Sequence, residues 1–412
     1  SLIRSLSSIC GIDSTFISAT VDSLCYTTNS DALKNVLHKL LVEELHQMQN
    51  DFLSTDTSKA ERNIQLLTLI VSVLNGMGGV DRQTVSKVLN KVQENIALVI
   101  ELKSTTERKK KKVTASVSDS IQNRLILVSS HYSRDSFQDV KQEYLFAGVF
   151  PASFESHTRD LLKAISYSVD GVQDFTGNVD ISTVYSSTKI AVREAVLSWM
   201  QSTIISQMQD ESTFNTDDFL QFDDDDDNNT DSEGIERRGN SEMSKELFLN
   251  NTSYLLIERS TSLLRQCVDI TTNPYTVVLT TAMSLRTINN CAMVLKEPCA
   301  DELIALLYPI VECLSSENEI IRTEAQLVTS TIAGLLYDGS IEQMLSENSD
   351  YLIDALSFKL VGGALTPKVP IILSVIVRLG FLDIVSELDD IIKTVFTLLD
   401  MYYGYDSLVE GF

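Results

Sequence analysis

The sequence predicts an all-α fold in which antiparallel helix pairs stack into an α-solenoid. Apolar residues recur three and four positions apart through most of the 412 residues, a spacing that places them along one side of a helix. No sustained alternation of apolar and polar residues is joined by Asn-Gly or Asp-Gly turns, so β-sheets are not expected. Residues are 43% hydrophobic but only 7% aromatic, which is typical of helices packed through aliphatic side chains.

The clearest helix pair is predicted over residues 298–337. The stripe of its first helix is Leu303, Leu306, Leu307, Ile310, Val311 and Leu314. After a polar turn at 315–318, the second helix carries the stripe Ile321, Ala325, Val328, Ile332 and Leu335. Neither helix can bury its stripe alone, so each must pack on the other and on neighbouring pairs. A proline in the first helix (Pro309), the acidic-Asn turn and an arginine early in the second (Arg322) form the layout of a HEAT repeat.

The same periodicity predicts helices along the rest of the chain. Before the acidic stretch described below, they are expected at 32–52, 60–74, 83–102, 118–131, 138–149, 155–168 and 182–208. After it they are expected at 247–268, 276–295, 350–360, 367–379 and 388–403, in addition to the pair at 298–337. The last of these helices carries the apolar stripe Leu388, Ile391, Ile392, Val395, Phe396 and Leu399. Leu303, Leu352 and Ile391 hold corresponding positions at intervals of roughly 40–50 residues, near the length of HEAT and armadillo units.

The acidity of the chain is concentrated in one stretch. The formal net charge is −24, and residues 210–236 contain 12 of the 57 acidic residues but no lysine or arginine. Such a stretch repels itself and cannot bury apolar area. We therefore predict an N-terminal helical-repeat block (1–209), a disordered acidic loop (210–246) and a C-terminal HEAT-repeat block (247–412). Direct binding of nucleic acid is not expected, because no phosphate-neutralising face is indicated.

Sequence motifs for catalysis, cofactors or metals are weak. The six cysteines include no C-x-x-C pair, and the four histidines lie far from them, so a zinc site is not indicated. His38 and His46 are eight residues apart, whereas H-E-x-x-H places its histidines four apart. The five consecutive aspartates at 223–227 lack the spaced ligands of a calcium loop. The sequence predicts no cofactor and no catalytic residue, although a hydrolase without a recognisable motif stays an alternative.

No membrane segment is expected, because the longest apolar runs, 66–74 and 369–377, are about half of the ~20 residues that span a bilayer. Because the chain starts at Ser1 without a methionine, we expect it to be an internal part of a longer protein. Trp199 is surrounded in sequence by aliphatic residues and is expected in the core rather than at an exposed binding site.

Two charged segments are candidates for regulation. Thr230 and Ser232 lie within the acidic stretch, and Glu233 follows Thr230 at the spacing that an acid-directed kinase selects. Phosphate at Thr230 or Ser232 would add roughly two negative charges for a basic pocket to recognise, the alternative being an unmodified spacer. The basic run at 108–112 is either a nuclear-import signal or a solvated loop cluster.

Three short runs near the end of the chain resemble a known family as a set. They are Asn-Ser-Asp-Tyr-Leu-Ile-Asp-Ala-Leu-Ser at 348–357, Thr-Pro-Lys-Val at 366–369 and Leu-Leu-Asp-Met-Tyr-Tyr at 398–403. Together with the pair at 298–337 and the acidic stretch, they resemble the large HEAT-repeat subunits of the Triple-T (TTT) complex, which are named for interacting with the telomere-length regulator Tel-two. The resemblance is specific over 315–412 and only architectural over 1–208.

This resemblance implies a non-catalytic scaffold of a co-chaperone complex. Its implied partners are the Tel-two subunit, the third TTT subunit, phosphatidylinositol-3-kinase-related kinases and the ninety-kilodalton heat-shock chaperone machinery, in the cytoplasm and nucleus. The alternative is a karyopherin-like HEAT transport receptor for basic cargo, but such a receptor would carry its acidity along the concave face instead of in one loop.

Polar and aromatic residues in the resembling runs are candidates for partner contacts. They are Asp350, Tyr351, Asp400, Tyr402 and Tyr403. Tyrosine is frequent in interfaces because it combines a large apolar ring with a polar tip. Tyr351 has an alternative role, which is to fill a groove between repeats.

Overall fold

A computed structural model describes residues 57–75, 82–108, 137, 140, 144–146, 149–167, 187–217, 232–269, 274–361, 369–385 and 388–401. These residues form twelve α-helices, are 91% helical and include no strand, which confirms the predicted all-α fold. The predicted helices at 32–52 and 118–131, together with His38 and His46, lie outside the described residues.

The helices follow one another in two compact units. Those in the first half of the chain are α1 (Thr57–Asn75), α2 (Arg82–Arg108), α3 (Ala152–Ser166), α4 (Ser187–Asp217) and α5 (Ser232–Asp269). The later ones are α6 (Pro274–Leu295), a 3-10 helix (Glu297–Glu302), α7 (Leu303–Leu314), α8 (Glu319–Leu336), α9 (Ile341–Glu347), α10 (Ser349–Val361), α11 (Val369–Val385) and α12 (Asp389–Met401). The first unit holds α1, α3, α4, α2 as far as Thr106 and α5 as far as Leu256.

In the first unit, helices that are not consecutive pack side by side. Near the starts of α1 and α3, the Ser153 hydroxyl donates to the Glu61 carboxylate. Near their ends, Asn75 Nδ2 donates to the carbonyl oxygen of Ala164 at 2.6 Å, so the two helices run in the same direction. Parallel packing of like helices is what stacked helix pairs produce, because each pair repeats the course of the one before it.

Aromatic rings fill the core of the first unit. Trp199 of α4 is 1% exposed, which confirms that it is a core residue. Its ring meets Phe146 edge to face at 5.2 Å between centroids, and Phe150 stacks on Phe154 of α3 at 3.8 Å. Edge-to-face and stacked pairs add stability beyond the area they bury.

The predicted helix at 138–149 is wrong for the residues described there. Leu145 and Phe146 lie in a turn, Tyr144 has no regular structure, and the amide of Phe150 donates to the carbonyl oxygen of Phe146 at 3.2 Å. The carboxylate of Glu155 accepts from the amide of Leu145 at 2.7 Å and fixes this turn against α3. The apolar spacing that predicted a helix here comes from turn residues that fill the core.

The second unit contains the predicted pair, now α7 and α8, which pack against each other. All six stripe residues of α7 are buried, as are the first four of α8, while Leu335 is half-buried. Residues before Leu303 form the 3-10 helix, so α7 begins later than the predicted residue 298. The fixed φ of Pro298, at the start of the 3-10 helix, suits a helix start.

The polar turn between α7 and α8 is closed by two side chains. Asn318 caps α8, because its Oδ1 accepts from the amide of Ile320 at 3.0 Å. The guanidinium of Arg322 reaches back and donates to the carbonyl oxygen of Ser316 at 3.2 Å. The arginine of the predicted HEAT layout therefore fastens the turn that precedes its own helix.

A buried ion pair joins α6 to α8. Nε of Arg286 donates to Oε2 of Glu324 at 2.6 Å, and its Nη2 donates to Oε1 of the same carboxylate. Both side chains are at most 2% exposed. A bidentate pair of this kind fixes the register of two helices, since either charge left alone in the core would be costly.

Two further features differ from the sequence-based expectations. The short helix α9 was not predicted, because its seven residues bury only Met344 and Leu345 and show little more than one turn of periodicity.

Helix α4 ends at Asp217 and α5 begins at Ser232, so helical backbone enters both ends of the predicted loop at 210–246. Acidic residues near the start of α5 are compatible with a helix, because its N-terminus favours negative charge. The remaining loop residues, 218–231, lie outside the described part, and the division into blocks stays a prediction.

Candidate interaction surface

Helix α10 presents an aromatic stripe away from the core. Its buried side is formed by Leu352, Leu356 and Leu360, spaced four residues apart. Tyr351, Asp354 and Phe358 fall at i, i+3 and i+7 on the opposite side, which places them in one line along the helix. Tyr351 is 41% exposed and Phe358 is 76% exposed, so neither ring is enclosed by the described helices.

Helix α12, which packs against α10, buries only part of its predicted stripe. Leu388 and Ile391 are buried, but Ile392, Phe396 and Met401 are 38%, 63% and 65% exposed. Together, Tyr351, Asp354 and Phe358 of α10 with Ile392, Phe396, Asp400 and Met401 of α12 are called the α10–α12 surface below. Exposed large apolar side chains concentrated in one segment point to an interaction site.

The charge of the α10–α12 surface is negative. Asp350, Asp354 and Asp400 are exposed carboxylates. Asp389 is paired with Lys393 at 2.5 Å between Oδ2 and Nζ, so these two charges largely offset each other. The remaining charged side chains described on the two helices are these three carboxylates and one basic residue, Lys359, so their net charge is negative.

Two of the predicted contact candidates, Tyr351 and Asp400, belong to this surface, and a third, Asp350, is exposed next to Tyr351. Asp350 and Tyr351 lie in the first turn of α10, and Asp400 lies near the end of α12, all exposed. Tyr402 and Tyr403 lie outside the described residues. The role of all five in binding stays a prediction.

Sequence reasoning missed Phe358 and Phe396, the most exposed aromatic rings of the two helices. Phe396 had been assigned to the buried stripe of its helix. The signal for Phe358 was its position seven residues after Tyr351, two turns along the same side.

The two phosphorylation candidates are not tested by the structure. Thr230 and the five aspartates at 223–227 lie outside the described residues, as do residues 109–112 of the basic run. Ser232 is the first residue of α5.

A polar cluster between α1 and α3 does not have the geometry of a nucleophilic site. The Ser153 hydroxyl donates to Glu61, and the same carboxylate oxygen lies 3.2 Å from Nδ1 of His157. A catalytic serine must donate to the histidine, which then removes its proton. Here the Ser153 hydroxyl donates to the Glu61 carboxylate and not to the imidazole. The imidazole also meets Gln65, with 3.0 Å between Nε2 of Gln65 and Nε2 of His157.

Burial raises the pKa of two side chains of the second unit, Cys299 and Tyr308, and so favours their neutral forms. Burial, with a contribution from Glu302, raises the pKa of the Cys299 thiol to about 12, so this cysteine is a poor nucleophile at neutral pH. Burial also raises the pKa of Tyr308, with Glu312 adding to the shift. Within the described ranges, no cluster of three metal-ligating side chains occurs, and no helix there combines the length and apolarity needed to cross a bilayer.

Comparison with known proteins finds a match to a family model over residues 307–396. This segment matches the family model described as TELO2-interacting protein 1. The chain is 40% identical over 135 residues to TEL2-interacting protein 1 of Saccharomyces cerevisiae. It is 30% identical over 105 residues to the TELO2-interacting protein 1 homolog of Homo sapiens, and 29% identical over 104 residues to that of Mus musculus. No solved structure matches the chain.

These matches cover a limited part of each protein. The yeast match spans 33% of this chain and 13% of the relative. The human and mouse matches each span 24% of this chain and 9% of the relative. The matched segment includes the second half of α7, helices α8 to α11 and α12 as far as Phe396. The resemblance predicted from the sequence is confirmed, because residues 307–396 match the family model described as TELO2-interacting protein 1.

Proposed function

We propose that this chain is part of a non-catalytic scaffold subunit of a TTT complex and that it binds a TEL2 (Tel-two) subunit. The observation that carries the proposal is the family match over 307–396. The yeast relative is named for an interaction with TEL2, and the matched segment contains most of the exposed aromatic surface of α10 and α12.

The proposed scaffold acts by holding its partner proteins in position and catalyses no reaction. Stacked helix pairs give an extended and rigid surface on which several proteins can be held at once. The buried Arg286–Glu324 pair and the capped α7–α8 turn keep neighbouring helices in register, so that residues on different helices keep their spacing. A partner that meets such a surface loses little entropy in ordering it, which favours affinity.

The wider assembly follows from the resemblance. The scaffold would also hold the third TTT subunit and would present phosphatidylinositol-3-kinase-related kinases to the ninety-kilodalton heat-shock chaperone, in the cytoplasm and nucleus. Its effect on those kinases would be on their maturation and stability.

Affinity purification of the tagged full-length protein from its own cells, followed by mass spectrometry, tests this proposal. We expect the TEL2 subunit, the third TTT subunit and the large kinases to co-elute at moderate salt. Recovery of the small GTPase Ran with basic nuclear cargo, and without TEL2, would contradict the scaffold and support a transport receptor. A matched purification with an unrelated helical-repeat protein controls for non-specific capture.

A direct binding experiment with purified proteins separates the contact with TEL2 from the rest of the assembly. We expect the 412-residue chain to bind the purified TEL2 subunit in isothermal titration calorimetry, with a negative heat-capacity change from the apolar area buried. No detectable heat at concentrations up to about 100 μM, corresponding to roughly −5.5 kcal/mol, would show that this part of the scaffold does not hold TEL2.

A further inference from the structure

We propose that the α10–α12 surface binds an amphipathic helix of the partner whose apolar stripe is flanked by lysine or arginine. This inference rests on the proposed function, since the partner is taken to be the TEL2-type subunit. It adds the chemistry of the contact, namely what the partner must present to this surface.

The apolar part of the argument comes from the spacing of the exposed rings. Tyr351 and Phe358 are seven residues apart on α10, a distance of roughly 10 Å at 1.5 Å per residue. A partner helix repeats its own apolar side chains every three to four residues, so side chains two turns apart on it can contact both rings. Ile392 and Phe396, one turn apart on the neighbouring α12, offer a second apolar line. Two helices that pack together and expose apolar side chains suit a third helix, as in helix-in-groove recognition.

An added strand is a poorer fit to this part of the molecule. Strand addition needs a sheet edge with unpaired backbone groups, and the described residues form no sheet. Backbone groups within α10 and α12 are engaged in their own helices, so side chains must make the contact.

The negative charge of the α10–α12 surface indicates which residues should flank the apolar stripe of the partner helix. Asp350, Asp354 and Asp400 are exposed around the rings, against Lys359 among the described side chains of the two helices. A helix with lysine or arginine beside its apolar stripe would complement this rim and would be steered towards it. An acidic helix would place like charges together.

The same carboxylates argue against two other occupants of the surface, a second copy of this chain and the segment that follows α12. In a symmetric dimer of this chain, the acidic rim of one copy would face the acidic rim of the other. The segment that follows α12, residues 402–412, contains Asp406 and Glu410 but no lysine or arginine, so it does not complement the rim either. Both alternatives are outcomes of the experiments below.

The apolar contact is tested by the double variant Phe358→Asp, Phe396→Asp in the 412-residue chain, with calorimetric titration of the purified TEL2-type subunit. Loss of two exposed aromatic anchors is expected to weaken binding by about 30-fold or more. Tyr144→Asp, at an exposed aromatic position of the first unit, is the matched control and should change affinity less than about twofold. Circular dichroism melting of each variant checks that the fold is intact.

The charge contact is tested by Asp354→Lys together with Asp400→Lys. Binding is expected to weaken about tenfold, chiefly through slower association, and the rate should depend less on salt than for the wild type. Stronger binding of this variant would mean that the partner presents acidic groups, which would overturn the proposal. Glu246→Lys together with Glu258→Lys, at exposed positions of α5, makes the same change in total charge and is the matched control.

Three results would overturn the inference without touching the proposed function. Wild-type binding that survives the Phe358→Asp, Phe396→Asp double variant would place the contact elsewhere. A tenfold gain in affinity on deletion of residues 402–412 would show that this segment covers the surface. Dimerisation of the wild type, abolished by the double variant in analytical ultracentrifugation, would assign the surface to a second copy. Failure of the wild-type chain to bind at all would instead remove the proposed function itself.

Discussion

The α7–α8 pair and the α10–α12 pair come from similar sequence patterns and have different surroundings. In α7, all six predicted stripe residues are buried, and α8 is further held by α6 through the ion pair of Glu324. The core-facing leucines of α10 and Ile391 of α12 are buried, but Phe358 and Phe396 are exposed. Amphipathic periodicity therefore shows that a side chain is apolar and lies on a given stripe, whereas neighbouring helices decide whether the stripe is covered.

The largest effect on stability is expected from Glu324→Ala, in the buried α7–α8 pair. This change leaves the guanidinium of Arg286 buried without its carboxylate, which typically costs about 3–5 kcal/mol. Urea denaturation followed by circular dichroism should show the loss as a lower midpoint for the second unit, and amide exchange in α8 should become faster.

The double variant Arg286→Met, Glu324→Leu is the control for this prediction. It removes both charges and keeps similar volume, so most of the lost stability should return. Equal destabilisation by the single and double variants would show that the buried charge is not the cause.

A pair of substitutions in α10 sharpens the contrast between its two sides. Leu356→Ala removes a fully buried side chain and is expected to cost about 2–5 kcal/mol. Phe358→Ala, two residues away and largely exposed, should change stability by no more than about 0.5 kcal/mol. Thermal and urea unfolding of the two variants side by side provide the measurement. Similar losses in both would mean that Phe358 is buried in solution.

A moderate effect is expected from the turn that closes the α7–α8 pair. Asn318→Ala removes the acceptor for the amides of Ile320 and Ile321, at a cost of about 1 kcal/mol. Asn318→Asp keeps an acceptor and adds a negative charge at the helix start, so it should retain stability. If Asp also destabilised the protein in urea unfolding, the capping role would be contradicted.

The smallest effect concerns how Glu302, just before α7, makes the folding stability depend on pH. Burial, together with Asp301 and Glu258, raises the pKa of Glu302 above its usual range. The folded state therefore holds this proton more tightly than the unfolded chain. The resulting stability is present below the unfolded pKa of about 4.3 and is lost as pH rises through the folded pKa.

Glu302→Gln removes this titration. At neutral pH the variant should melt at a slightly higher temperature than the wild type, because it no longer places a charge beside Asp301 and Glu258. The difference should shrink below about pH 4, where the wild-type carboxyl is protonated in both states. Melting curves across this range measure it, and a difference independent of pH would contradict the electrostatic cause.

The sequence by itself determined the helical class, the α7–α8 pair and the family resemblance. Each depends on residues close together in the chain: a period of 3.6, a cap such as Asn318 followed by Arg322, and runs of four to ten residues. Local backbone hydrogen bonds and caps act over the same short range, so these features can be read before any contact is known.

The tertiary structure alone decided which apolar positions are covered. Arg286 and Glu324 meet across helices, the turn at Phe146 is held by Glu155 of α3, and α12 buries Ile391 while exposing Ile392 and Phe396. No local pattern specifies these outcomes, because adjacent residues of one stripe differ only in which neighbouring helix lies against them. The exposed half of α12 and the aromatic line of α10 are therefore properties of packing, and the candidate interaction surface emerges only once the helices are in place.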